Sequence, residues 1–452
     1  MNKHRIILAA IMAGTVLPAV AQTTLGGYFT DGFLYRHQMN PALSNDESYF
    51  SMPALGNINV AQRGDLGLGD LLFVANGKTV TFMHPDVSIS DALKNVQSTN
   101  RMDNNMRVEI LSWGKRMNKG YLTFDLGLRT DVGVSLPGAF FRLAKEGPAN
   151  QSYDLSHIEI YGQGYGELAI GYSHRVNRNL EVGGKVKLLA GIANVHGQAD
   201  DVHLTLANDH WEASVEAEVD ASMKGLKYKC DDPQTKMIDG IDMDGGGVSG
   251  FGVAFDLGAS YRINDDWRVD LALLDLGFLS WSNNHLASTD GRRTLNTQSY
   301  IFNVDGDASN AFGDELDRLT EDLGDLFKFK DMGDKGSRTT GLAATLNVGA
   351  EYRIPVYSEL SVGALSSTRF AALGAWTEFR LSANYAPCHW FSMSVSGAAG
   401  TFGPSFGWLL NLHPRGFNLF AGMDSMGAPF TSDGIPCARN AHMNIGINFP
   451  LK

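Results

Sequence analysis

Three carboxylates, Asp239, Asp242 and Asp244, stand ahead of Gly245, and carboxylates this close together suit a hard cation such as calcium. Setting Asp242, Asp244 and Gly245 at positions three, five and six of a calcium loop leaves Gly240 first and Phe251 twelfth, so the ligand set fails at both ends. The stretch reads as an exposed loop, and no metal is expected. Gly245 to Gly250 spells G-x-G-x-x-G, but it leads into a strand, and the helix N-terminus that would hold a pyrophosphate is missing. No H-E-x-x-H or G-x-S-x-G occurs, and the twelve histidines are dispersed. No catalytic residue can be named, no cofactor is expected, and the chain does not read as an enzyme.

The remaining concentration of chemistry lies near the N-terminus. Residues 22–48 combine Tyr28, Phe29, Phe33 and Tyr35 with Arg36, His37, Asn40 and Pro41. This segment is too polar to face lipid and too short to bury a core of its own. It therefore belongs inside something larger, as a plug. Tyr35, Arg36, His37, Asn40 and Pro41 are the candidates for gating, with Pro41 setting the turn towards the first strand.

The elements around it follow a period of two. Val253, Phe255, Leu257, Ala259 and Tyr261 interleave with Ala254, Asp256, Gly258, Ser260 and Arg262, and Trp267 to Leu273 answers after a tight turn at 263–266. The same unit recurs at 168–188, 342–353, 391–396 and 443–449, giving about fourteen strands. Turns near 117–119, 176–179, 263–266, 354–357, 386–389 and 413–416 are short. Connections at 142–163, 222–249, 280–340 and 424–440 are long. Short turns at one end, long loops at the other, and aromatics such as Tyr172, Tyr261, Trp267 and Trp390 beside the short turns predict a transmembrane antiparallel β-barrel of about 14 strands with an N-terminal plug and long extracellular loops, an all-β fold. Two helices are expected besides, at Ser90–Val96 and, acidic and amphipathic, at 311–330.

Composition agrees. Gly makes up 51 of 452 residues, and charged residues only 19%. A net charge of −12 argues against nucleic acid as a partner. Lys3 and Arg5, the apolar run Ile6–Val20 and Ala19-Val20-Ala21 predict a signal peptide at 1–21. That leaves a plug at 22–48 and a barrel at 49–452, in the cell outer membrane. Cys230, Cys388 and Cys437 are too few and too scattered for a disulfide framework.

Asp31-Gly32-Phe33, Tyr35 to Ala42, Pro53 to Val60 and Tyr121 to Asp131 resemble the N-terminal signatures of domain of unknown function 5723, a family of Bacteroidota outer-membrane proteins. Asn40-Pro41-Ala42 is also similar to the wider group of FadL-type long-chain fatty-acid transporters and PorV-like barrels. The resemblance implies a fourteen-stranded barrel with an N-terminal plug, probing no single residue's role. The function expected is binding or passing a small hydrophobic or amphipathic solute. The alternative is a non-transporting barrel that scaffolds or hands over partner proteins. Outer-membrane lipid is the expected surrounding and a monomer the expected state.

Overall fold

Strand pairing in this protein returns to where it starts. A computed structural model describes residues 25–75, 78–147, 151–207, 210–230, 232–298, 328–424 and 439–451. The wall strands are β1 (Ser48–Ser51 and Ile58–Gly64), β2 (Thr99–Met117), β3 (Gly120–Pro137), β4 (Ile158–Arg175) and β5 (Leu180–Leu206). They continue as β6 (Gly250–Arg262), β7 (Trp267–Trp281), β8 (Arg338–Gly341 and Ala344–Arg353), β9 (Leu360–Ala371) and β10 (Gly374–Cys388). The ring is completed by β11 (Phe391–Gly400), β12 (Ser405–Leu412), β13 (Asn418–Asp424) and β14 (Ala441–Leu451). Each runs antiparallel to the next, and β14 closes on β1, with Phe50 opposite Phe449 and Ile58 opposite Ile445. Closure leaves no free edge in the wall, as a lipid surrounding demands.

Alternation sorts side chains between two solvents. On β6, Phe251, Phe255, Leu257 and Tyr261 stand exposed on the outside, while Ala254, Asp256 and Ser260 are buried inside. On β8, Val348 faces out, and Thr345, Asn347 and Glu351 face in. Such contiguous exposed apolar rows would be a liability in water and are what hydrocarbon requires. Tyr172, Tyr261, Trp267, Tyr385, Trp390 and Phe417 are all exposed beside the short turns, at the level of an interfacial girdle. Among the described residues no helix is long and apolar enough to cross a membrane, a statement that does not touch crossing by strands.

Two departures from a plain cylinder matter later. β1 is broken at 52–57, where Ala54 adopts φ 59°, yet the wall stays sealed by bonds from Ala54 N to Ile110 O (3.0 Å) and from Glu109 N to Asn57 O (3.0 Å). β5, at 27 residues, is roughly 90 Å long at ~3.3 Å per residue, more than three times a ~25 Å apolar band. It pairs with β6 as far as Gly191 and from Ala193 with a strand at His210–Met223. That strand in turn pairs with Asn284–Ser288 and Arg293–Gln298. Tyr153, Leu155, Val202, Leu206 and Val215 give this outer sheet a core of its own.

Several sequence expectations change here. Of 142–163, the last residues are wall, since β4 begins at Ile158, and the stretch before it holds a helix at Gly138–Glu146. The 280–340 connection carries outer-sheet strands rather than irregular loop in its described parts. The predicted helix at Ser90 begins at Ile89, because Ser88 is the cap, its Oγ accepting from Asp91 N at 3.0 Å. The signal peptide at 1–21, residues 311–327 of the acidic helix, 425–438 of the last loop and Cys437 lie outside the described residues.

Candidate functional site

Residues 25–47 lie inside the barrel, close to its short-turn end. With no alternation to make a strand, they fold as two 3-10 turns, Leu25–Gly27 and Leu34–Gln38, joined by local bonds such as Tyr28 N to Leu25 O (3.2 Å). Asn40 Oδ1 accepts from Ala42 N at 2.9 Å, an Asx turn with Pro41 at its centre. The wall makes room with glycines. A Cβ on Gly258 would lie 2.1 Å from Asn40 Oδ1, one on Gly183 2.1 Å from Pro41 O, and one on Gly363 2.2 Å from the Phe29 ring. Gly349 also faces Tyr28 and Phe29, whereas Ala343, on the same strand's approach, lines a cavity further out.

The five predicted plug residues are held unequally. The Tyr35 hydroxyl donates to Asn448 Oδ1 on β14 at 2.8 Å. Lys185 on β5 donates to His37 Nδ1 (2.7 Å) and to Asp125 (2.9 Å), so the His37 Nε2 proton points at the Tyr49 hydroxyl 2.9 Å away. Tyr49 meets Ser112 at 2.7 Å, and Ser112 donates to Asp125, which closes the circuit. Asn40 Nδ2 donates to the Tyr28 hydroxyl (3.1 Å), and Asn347 Nδ2 to Met39 O (2.9 Å). Arg36 is looser, 3.7 Å from Asp31, itself 3.1 Å from Arg353 on β8. Gln38, which sequence reasoning passed over, bridges Glu109 (2.8 Å) and Asn57 (3.0 Å).

Beyond the plug a belt of buried ions crosses β2 to β7. Arg107 pairs with Glu109 (2.5 Å) and Glu167 (3.1 Å), and Arg129 with Glu167 (2.8 Å) and Asp275 (2.7 Å). Lys187 sits between Asp256 (2.7 Å) and Asp275 (2.5 Å). Asp275 reaches the belt from a β-bulge with φ 58°, and its N–H donates to Asp256 at 2.7 Å. Alternation of charge with Gly and Ser on inward positions was the available signal for most of the belt. Nothing local announces Asp275.

Three voids follow the barrel axis. The outer one, about 410 Å³, is lined by Asp103, Asn105, Asp131, Tyr161, Arg338 and Arg369 among others. A small one of about 40 Å³ shares Asn105, Asp131 and Arg369 with it and touches plug residues Gln38 and Met39. Arg369 and Asp131, 2.8 Å apart, stand between the two. On the other side of the plug a vestibule of about 660 Å³ opens at the short-turn end. The carboxylates of the rejected calcium loop are engaged elsewhere, Asp242 with Lys229 (3.3 Å) and Asp244 with Lys227 (2.9 Å) across an outer hairpin at Leu226–Cys230 and Ile238–Met243. Asp239 lies on the same hairpin. Among the described residues no group of three metal-binding side chains occurs.

A family of unknown function, DUF5723, matches residues 41–424. No curated protein matches the chain. Among solved structures it is similar to the toluene transporter TbuX of Ralstonia pickettii, at 10% identity and a TM-score of 0.41, covering 92% of both chains. It is similar too to the toluene transporter TodX of Pseudomonas putida, at 9% identity and 0.40, covering 91% of this chain and 92% of that one. A FadL homologue of Pseudomonas aeruginosa matches at 10% identity and 0.38, over 96% of this chain and 98% of the other.

Proposed function

We propose, from the premise that the chain belongs to the family of unknown function DUF5723, that it is an outer-membrane barrel passing a small amphipathic solute through a gated lumen. The apolar outer face and the signal-peptide pattern support that location. One observation carries the rest. The outer cavity and the void against the plug share Asn105, Asp131 and Arg369, so the Arg369–Asp131 pair stands where a solute-sized chamber adjoins the void that touches Gln38 and Met39. A solute entering from outside meets that pair first and the plug second. The belt argues for polar groups on the solute. A bare hydrocarbon passing Arg129, Asp275 and Lys187 would offer these charges no hydrogen bond.

Tyr35, His37, Asn40 and Pro41 fix the plug to β5, β6 and β14 in this reading, and Arg36 lies on its more loosely held side. Removing residues 23–38 while keeping the signal peptide is expected to raise single-channel conductance in planar bilayers and uptake of a fluorescent amphiphile by cells. Arg369→Ala, which opens only the outer barrier, is expected to raise neither by itself and to add to the deletion. Unchanged conductance and uptake in a correctly inserted deletion variant would overturn the channel and return the reading to a barrel that scaffolds partner proteins.

A further inference from the structure

We infer that the periplasmic vestibule is a docking site for an acidic peptide segment of a periplasmic partner. The first support is charge. The short turns and their flanks (115–119, 175–179, 262–266, 353–359, 388–390 and 413–416) carry eight Lys or Arg against three Asp or Glu, in a chain whose net charge is −12. One end of an acidic molecule is basic, and opposite charge is what it attracts.

The second support is which charges are already used. Of the vestibule's four carboxylates, Glu181 faces Arg175 at 2.8 Å, Asp46 faces Arg116 at 3.1 Å, and Asp31 is shared by Arg36 and Arg353, while Glu47 takes part in no ion pair among the described residues. Arg178 and Arg262 line the same vestibule and take part in no ion pair among the described residues. They are neighbours, since Asn179 Nδ2 donates to Arg262 O at 2.7 Å and so ties the β4–β5 turn to the β6–β7 turn. A guanidinium fork matches a carboxylate in two-point geometry, and two unengaged forks on adjoining turns of one vestibule suit two acidic side chains.

The third support is shape. The space is a concavity of about 660 Å³ whose roof is the plug itself, through Asp31, Leu43 and Asn45. A bilayer surface cannot enter it, whereas an extended peptide can. A carboxylate arriving there competes with Asp31 for Arg353. That contact joins plug to wall and is half exposed, so docking would loosen the plug from below.

Labelled hexaglutamate, with hexalysine as its counterpart, tests this by fluorescence anisotropy on the full-length protein in zwitterionic nanodiscs. Hexaglutamate is expected to bind in a salt-dependent way, hexalysine not. Arg178→Gln with Arg262→Gln is expected to weaken hexaglutamate roughly tenfold, while Arg178→Lys with Arg262→Lys stays close to the natural protein, separating charge from folding. Absence of hexaglutamate binding, equal binding by the Gln variant, or equal binding of hexalysine would overturn the docking site. Binding to vesicles containing phosphatidylglycerol in place of the peptide would overturn it in favour of a lipid contact. Conductance reads the channel independently, so failure of either proposal leaves the other measurable.

Discussion

Lys187 shows what the inward positions of this barrel do. Its ammonium lies within 2.7 Å of Asp256 and 2.5 Å of Asp275, and all three side chains are buried. Removing one partner of a buried pair strands the other, and here it leaves Asp256 without a cation beside Asp275, which keeps only Arg129. Lys187→Ala is therefore expected to destabilise by about 3–5 kcal/mol, read as a lower urea midpoint for the barrel in vesicles. A cost under about 1 kcal/mol would mean that water reaches the belt. The sequence shows Lys185 and Lys187 on the face opposite Val182 and Val186, which is enough to put them inside. It does not show their partners, because Asp275 takes its place through a bulge with φ 58° for a non-glycine residue. Gly258 and Gly363 are legible as small inward positions in the same way. That Asn40 and Phe29 fill the space they leave is a tertiary fact about a segment without periodicity.

At the level of elements, period-two alternation is a strong signal where one face meets lipid, which is why β6, β7 and the Ala344–Arg353 part of β8 could be placed from sequence. It weakens where strands leave the membrane. The outer half of β5 and its partner His210–Met223 have water on one side and a small protein core on the other, so their apolar residues no longer form an unbroken outer row. Arg293–Gln298 carries so many polar residues that it reads as loop, and only its pairing with His210–Val215 makes it a strand. The outer hairpin at 226–243 is a further step from the wall. Its two strands form a separate sheet, and its ion pairs Lys227–Asp244 and Lys229–Asp242 are exposed. Exposed pairs contribute about 0–1 kcal/mol, so replacing residues 226–243 with a short Gly-Ser linker is expected to leave insertion and heat-modifiable gel mobility unchanged. Loss of the folded band in that variant would show the hairpin to be part of the barrel's own stability.

For the whole molecule the costly contact is the seam where β14 meets β1. Asn444 Nδ2 donates to Asn57 Oδ1 at 2.8 Å across a separation of 387 residues, and to Asn59 Oδ1 at 2.5 Å. Bringing such distant parts together takes loop-closure entropy that no local hairpin pays. The plug is tied to both sides of this seam: Gln38 accepts from Asn57 at the break in β1, and Tyr35 donates to Asn448 on β14. A segment seated in the lumen thus also bridges the two ends of the wall. If seam and plug assemble together in the rate-limiting step, Asn57→Ala with Asn444→Ala should slow refolding from urea into vesicles several-fold. Ser382→Ala with Ser396→Ala, a facing pair of buried lumen residues on the local hairpin β10–β11, should affect unfolding instead. The gain of the heat-modifiable band with time measures both. Equal refolding rates for the two double variants would place closure of the seam after the barrier, and the plug would then be a passenger in assembly while remaining the obstacle in the lumen.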